Sequence, residues 1–210
     1  MNTECTLDQL EFHGLGRRSV VGQFNGGKIS SDIGGLLLRE VEKRTHILQR
    51  LAGCFVDHRD QNQIEHSVES LIKQRVMGLA LCYEDLNDHD CLRHDPLLAL
   101  LCDQHDLMGK TRRRVQDKGF ALAGKSTLNR LELTPFDADQ GSRYKKIVAR
   151  PEAMDDLFVD LFLEAHDSAP EQILLDVDAT DDPLHGDQEG RFYHGYYRSY
   201  CYLPLYIFCG

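Results

Sequence analysis

The stretch that decides the fold is ILLDVDATDD at residues 173–182. Its apolar residues lead into Asp176 and Asp178, and the turn-forming segment PLHG follows at 183–186. An apolar run bounded by turn formers is typical of a β-strand. Because strand side chains alternate between faces, Asp176 and Asp178 are predicted to share one face, with Val177 on the other.

Two carboxylates at the end of a strand indicate half of a metal site for phosphate chemistry, because hard divalent cations prefer oxygen ligands. The alternative is an ordinary strand-to-turn boundary, where Asp is common because it stabilises turns. Asp181, Asp182 and Asp187 are interpreted as turn residues.

Helical patterns precede this strand, and a second β-rich run, YCYLPLYIFC, follows at 200–209. Residues 10–29 indicate short strands or loops. Helices are predicted at 33–55, 62–83, 96–104, 125–133 and 154–166 from apolar periodicity and turn signals. Ser126 or Thr127 is the expected N-cap of the fourth helix. The fold class is therefore α+β or α/β, with a mostly helical region at 1–109, a basic connector at 110–150 and the opening strands of a third region at 151–210.

Composition favours a folded chain with a sizeable core, since 41% of the 210 residues are hydrophobic. No apolar run approaches the ~18 residues of a membrane helix, and the N-terminus lacks a signal-like apolar stretch. Seven cysteines, an odd number without a CxxC pair, suit a reducing compartment. We therefore expect a cytoplasmic protein with no membrane partner.

The net charge of −10 conceals one strongly basic segment. Residues 110–150 carry eleven Lys and Arg against four Asp and Glu, whereas residues 151–210 carry two against thirteen. A solvated charged face is the usual explanation of such a run. The charge asymmetry makes DNA binding through phosphate contacts an equal alternative. The candidate DNA-binding residues are Lys110, Arg112, Arg113, Arg114, Lys118, Lys125, Arg130, Lys145 and Lys146, and Arg143 and Arg150 belong to the same basic run.

Two other motifs are weaker. GFALAGKS at 119–126 matches the GxxxxGK[ST] pattern of a phosphate-binding loop, but the preceding KTRRRVQDK cannot form the buried strand that such a loop requires. We therefore predict no nucleotide site. Cys91, His94, Cys102 and His105 have spacings compatible with zinc, yet Cys102 is predicted on a core face, where cysteine behaves as a small hydrophobe.

Three separated segments, CYEDLNDHDCLRHDP (82–96), LAGKSTLNRLE (122–132) and ILLDVDATDDPLHG (173–186), resemble a bacterial insertion-sequence transposase. The similarity is to the DDE class with an RNase H-like catalytic domain, in the branch described as transposase DDE domain group 1. It extends from about Phe24 to the last residue.

The resemblance implies metal-dependent cleavage and transfer of DNA strands at transposon ends. Three carboxylates of such enzymes hold two divalent cations, Mg²⁺ or Mn²⁺, for in-line displacement at phosphorus. Asp178, followed by x-Thr, matches the first carboxylate and is the expected catalytic metal ligand, with Asp176 as the fallback. The implied partners are double-stranded DNA carrying terminal inverted repeats and, in an oligomer, the transposase itself.

The later Asp and Glu of the family have no counterpart before Gly210. We therefore expect an incomplete RNase H-like domain, a C-terminally truncated chain and no tight metal binding or activity by this chain alone. The alternative is a non-catalytic DNA-binding product that occupies transposon ends or inhibits the full-length enzyme.

Overall fold

The computed structural model describes residues 9–23, 25–26, 30–184 and 186–209. Phe24, residues 27–29 and His185, which belong to segments interpreted above, lie outside this part. The helices are α1 Gly35–Thr45, α2 Ile47–Gly53, α3 Val68–Ala80, α4 His89–Leu92, α5 Pro96–Leu101, α6 Lys125–Glu132 and α7 Pro151–Glu164. The strands are β1 Gln9–Leu15, β2 Arg18–Gln23, β3 Phe55–Asp57, β4 Ile147–Ala149, β5 Leu175–Ala179, β6 Asp182–Pro183, β7 Phe192–His194, β8 Ser199–Tyr202 and β9 Leu205–Cys209.

The chain divides into two compact units, Met1–Val159 and Asp160–Gly210, and the division falls within α7. In the first unit β1 pairs with β2, and β3 pairs with β4. In the second, β5 pairs with β9, and β8 lies between β6 and β7. Every one of these described pairings is antiparallel, which confirms the α+β class.

Local sequence explains the starts of two helices and fails at two other helix ends. Ser67 begins α3 because its hydroxyl accepts the backbone N–H of Ser70 at 3.1 Å, so α3 starts later than the pattern from residue 62 predicts. Pro96 occupies the first turn of α5, as expected. The predicted caps Ser126 and Thr127 are wrong, because extended Gly124 is the N-cap of α6 and both residues lie inside the helix. The predicted helix at 33–55 is broken at His46, whose φ of 54° ends α1.

A buried charge cluster joins four segments of the first unit. Arg39 on α1 is 1% exposed and donates from Nε to Asp103 at 2.9 Å, while its Nη atoms donate to the carbonyls of His13 and Gly14. Lys43 and Lys73 also donate to Asp103, at 2.8 and 3.1 Å. Burial alone would raise the pKa of Asp103, but the hydrogen bonds from these lysines outweigh it and hold the pKa below its usual range.

Gln74 on α3 holds the extended segment before α6. Its amide donates to the Ala123 carbonyl at 2.8 Å and accepts the Ala123 N–H at 2.9 Å, so one fully buried side chain satisfies both backbone groups. The same amide nitrogen lies 3.1 Å from His89 Nδ1. Residues 121–123 are thereby fixed in the core, next to the first turn of α6.

Replacing Asp103 by Ala is expected to destabilise the first unit by about 3–5 kcal/mol, because buried Arg39 and Lys73 lose their shared counter-ion. Chemical denaturation of both proteins measures this. The matched variant, Asp137→Ala, removes an exposed carboxylate and should change stability by less than about 0.5 kcal/mol. Equal effects of the two substitutions would contradict a central role for the cluster.

Gln74→Leu should cost roughly 2–4 kcal/mol, because it leaves the buried N–H and carbonyl of Ala123 without partners. Thermal and urea unfolding give the value, with exposed Gln116→Leu as the control for the same chemical change. A near-neutral Gln74→Leu would show that the segment before α6 is held by packing alone.

Candidate functional site

The second unit presents its two predicted carboxylates on one exposed face. Asp176 pairs with Phe208 and Asp178 with Tyr206 across the antiparallel β5–β9 ladder. Directly opposed residues share a face, so each carboxylate has an aromatic neighbour on the facing strand. The Tyr206 and Phe208 rings are stacked, with centroids 6.2 Å apart and planes at 28°. The predicted strand and its alternation therefore agree with the structure.

The opposite face of this ladder is apolar. It carries Leu175, Val177 and Ala179 from β5 and Leu205, Ile207 and Cys209 from β9, all of them exposed. An apolar sheet face ordinarily packs against another layer. Asp176 and Asp178 are themselves exposed, so their carboxylates are open to a ligand.

The structure places two carboxylates on this face, without a third ligand in the part of the chain that it describes. Among the described residues, no group of three or more His, Cys, Asp and Glu side chains could hold a metal ion. The described residues of the zinc motif therefore form no metal site either. Cys102 is buried in the core, and burial raises the pKa of its thiol, which disfavours the thiolate that zinc would need. Asp176 and Asp178 still suit Mg²⁺, which often takes one or two protein carboxylates together with phosphate oxygens of the substrate.

The predicted DNA-binding residues fall into different environments in the first unit. Arg112 donates to the carbonyls of Glu65, Phe120 and Ala121, and Arg113 donates to those of Asn62 and Gln63. These two arginines hold loops together through three hydrogen bonds from Arg112 and two from Arg113. Lys110 and Lys118 are exposed and lie outside the two hollows described below.

A hollow of about 570 Å³ gathers basic side chains that are far apart in the sequence. We call it the arginine cleft. Its basic lining residues are Arg59, Arg93, Arg112, Arg114, Arg130, Arg143 and Lys146. They outnumber the four acidic ones, Asp60, Glu65, Asp90 and Asp117, so the cleft is positive in a chain of net charge −10.

A second hollow of about 540 Å³ adjoins the cleft. The two share Ser126, Arg130 and Tyr144, and Lys125 and Lys145 line only the second. Asp90 forms an ion pair with Lys125 at 3.3 Å. Hydrogen bonds from the Lys125 backbone N–H and, to a smaller extent, from its side chain lower the pKa of Asp90 and keep that carboxylate charged.

The segment that matches a phosphate-binding loop does not have the geometry of one. Ala121, Leu122 and Ala123 are buried in the core rather than forming an open loop. Lys125 donates to Asn87 at 2.9 Å and pairs with Asp90, so its ammonium is held on the side of the second hollow. Gly124 packs closely against two side chains, since a Cβ there would lie 3.1 Å from both Arg93 and Asp90 and would require them to shift.

Three buried polar atoms of cleft-lining residues lack a hydrogen-bond partner within the described part of the chain. These are Oε1 of Glu65, Nδ1 of His66 and Nε of Arg93, whose guanidinium lies 3.8 Å from the Phe120 ring centroid. Burial, and then the charges of Arg112 and Arg59, lower the pKa of His66 to about 4. His66 is therefore neutral at pH 7, and the positive charge of the cleft comes from Arg and Lys.

Sequence reasoning missed Arg59 and Arg93 because both lie in an acidic region, where no local charge pattern marks them. Arg143 belongs to the basic run found in the sequence, but it is not among the candidate DNA-binding residues predicted there. Only the approach of the loops around β3, α4, α6 and β4 brings these residues to one surface.

No described helix is long and apolar enough to cross a membrane. A family model for transposase DDE domain group 1 matches residues 12–210, nearly the whole chain. No curated protein and no solved structure matches significantly. The family match supports a general role in transposition, with DNA as the substrate. On the extent of that match, the chain belongs to the transposase DDE domain group 1 family.

Proposed function

We propose that this chain contributes to metal-dependent cleavage and transfer of DNA strands at the ends of a bacterial insertion sequence. The observation that supports the proposal most directly is the pair of exposed carboxylates on one face of β5, within a chain of the DDE family. Terminal inverted repeats are the proposed DNA target, and self-association the proposed mode of assembly.

Asp178 is the proposed metal ligand, with Asp176 two residues before it on the same face. Mg²⁺ or Mn²⁺ bound there would offset the negative charge of the scissile phosphate and activate the attacking hydroxyl. The protein contributes carboxylate oxygens on a strand whose backbone is fixed by pairing with β9. Tyr206 and Phe208 supply flat apolar surface beside them, suited to contact with a base or sugar.

We propose a separate role for each of three regions. Residues 1–109 bind DNA and mediate assembly, residues 110–150 connect the other two regions, and residues 151–210 carry the catalytic residues. The first two both fall within the first compact unit, and β4 near the end of the basic segment pairs with β3. The basic segment therefore contributes part of its length to a folded surface.

A second candidate is a non-catalytic protein that occupies transposon ends or inhibits the full-length enzyme. It is favoured by two observations, the arginine cleft and the lack of a third metal ligand near Asp176 and Asp178 among the described residues. This candidate requires DNA affinity that is independent of divalent cations and of Asp178.

The test is nicking of labelled duplex DNA bearing the element's ends, with Mg²⁺ or Mn²⁺, together with calorimetric titration of Mn²⁺. Where nicking is observed, Asp178→Ala should lower the rate of cleavage by at least about 100-fold, since even an outer-shell partner of a metal ligand contributes 10–100-fold. Asp176→Asn should have a smaller effect. Both should weaken Mn²⁺ binding, whereas exposed Asp167→Ala should leave binding and cleavage unchanged.

Cleavage that survives Asp178→Ala would refute the catalytic assignment. A chain that binds DNA in EDTA but never nicks it with either metal would reject catalysis by this chain and support the second candidate.

A further inference from the structure

We propose that the arginine cleft and the adjoining hollow bind consecutive backbone phosphates of one DNA strand. The inference rests on the proposal that the chain acts on DNA, and it assigns that contact to a surface of the first unit. The ligand is identified by its chemistry, a chain of singly charged phosphodiesters.

The first argument is which cations are free to bind. Arg59 is held by Asp57, with N–H···O distances of 2.7 Å, and Lys146 donates to the Gln140 carbonyl. In contrast, Arg114 and Arg143, both exposed, have no carboxylate within ion-pair distance among the residues described. These two guanidinium groups are therefore available to an external anion.

The second argument concerns neutral donors. Ser126 and Thr127 lie in the first turn of α6 and line the cleft. In that turn Asp90 accepts the Lys125 N–H at 3.2 Å and the Gly124 carbonyl accepts the Thr127 N–H at 3.0 Å, which leaves the Ser126 N–H without a hydrogen-bond partner among the described residues. The Ser126 and Thr127 hydroxyls add neutral hydrogen-bond donors to the charge of the cleft, which suits phosphate oxygens.

The third argument separates a polymer from a small anion. Arg130 and Tyr144 line both hollows, and cations lie on either side of them, Arg114 in the cleft and Lys145 in the second hollow. The Arg130 and Arg143 guanidiniums lie 5.5 and 4.8 Å from the Tyr144 ring centroid. A free phosphate could occupy only one hollow, whereas a DNA strand can place phosphates along both.

The experiment measures binding of a fluorescein-labelled 20-base-pair duplex by anisotropy, in EDTA and at several salt concentrations. The double variant Arg114→Gln, Arg143→Gln should bind roughly 10- to 100-fold more weakly at 0.1 M salt, and its log–log salt slope should be smaller by about two. Arg114→Lys, Arg143→Lys should retain most of the affinity, since lysine also binds phosphate as a point charge.

The matched control is Arg17→Gln, Arg44→Gln, which removes the same charge from exposed positions outside both hollows. It should retain DNA binding. Equal losses in the two double variants would overturn the proposal, because they would report overall charge rather than a site. Unchanged binding by the cleft variant would overturn it too.

Competition with pyrophosphate and ATP distinguishes the source of the phosphate. Neither should displace the duplex at an equal phosphate concentration. If ATP binds with the same dependence on Arg114 and Arg143 while DNA binding does not depend on them, the cleft is a site for free nucleotides and the proposal fails.

The proposed catalytic function is tested independently of the DNA-binding role of the cleft. Asp178→Ala should bind the duplex like the unmodified chain, so loss of cleavage with intact binding concerns the carboxylates alone. If Asp178→Ala still cleaves but the cleft variant cannot bind, the catalytic assignment fails and the cleft stands.

Discussion

The ion pair between Arg39 and Asp103 is the constraint on which the first unit depends. A single carboxylate receives a buried guanidinium from α1, a lysine from the same helix and a lysine from α3. Arg39 also donates to two carbonyls of β1, which ties the β1–β2 hairpin to the helices. Arg39 is 1% exposed, so removing Asp103 would leave its guanidinium buried without a carboxylate partner, whereas Lys73 would keep Glu69 at 2.7 Å. The cluster therefore specifies one arrangement of these segments.

Polar groups also determine where the arginine cleft forms. Gln74 fixes residues 121–123 from within, and Arg112 holds the same stretch through the Phe120 and Ala121 carbonyls. The first turn of α6 is thereby placed next to Arg93 and Asp90. Some arginines of the basic segment thus build the surface, while others, such as Arg114 and Arg143, remain available on it. A charge count along the sequence cannot separate these two roles.

In the second unit the β5–β9 ladder is explained by the alternation of side chains along its strands. Alternation along β5 separates two aspartates from three apolar residues, and pairing with β9 extends both faces. The carboxylates share their face with Tyr206 and Phe208, whereas the apolar face has the composition of a surface that packs against another layer. The same alternation that gives the sheet its packing face therefore keeps the proposed metal ligands exposed.

Local patterns in the sequence determined much of this protein: the strand carrying Asp176 and Asp178, α5 with its N-terminal proline, the existence of α3, α6 and α7, and the α+β class. They did so because alternation, periodicity and capping act over a few residues. Three-dimensional packing decided the rest. It broke the first helix at His46, made Gly124 rather than Ser126 or Thr127 the N-cap of α6, and brought Arg59 and Arg93 beside Arg114 and Arg143. Such placements depend on buried polar contacts between distant residues, which no local pattern encodes.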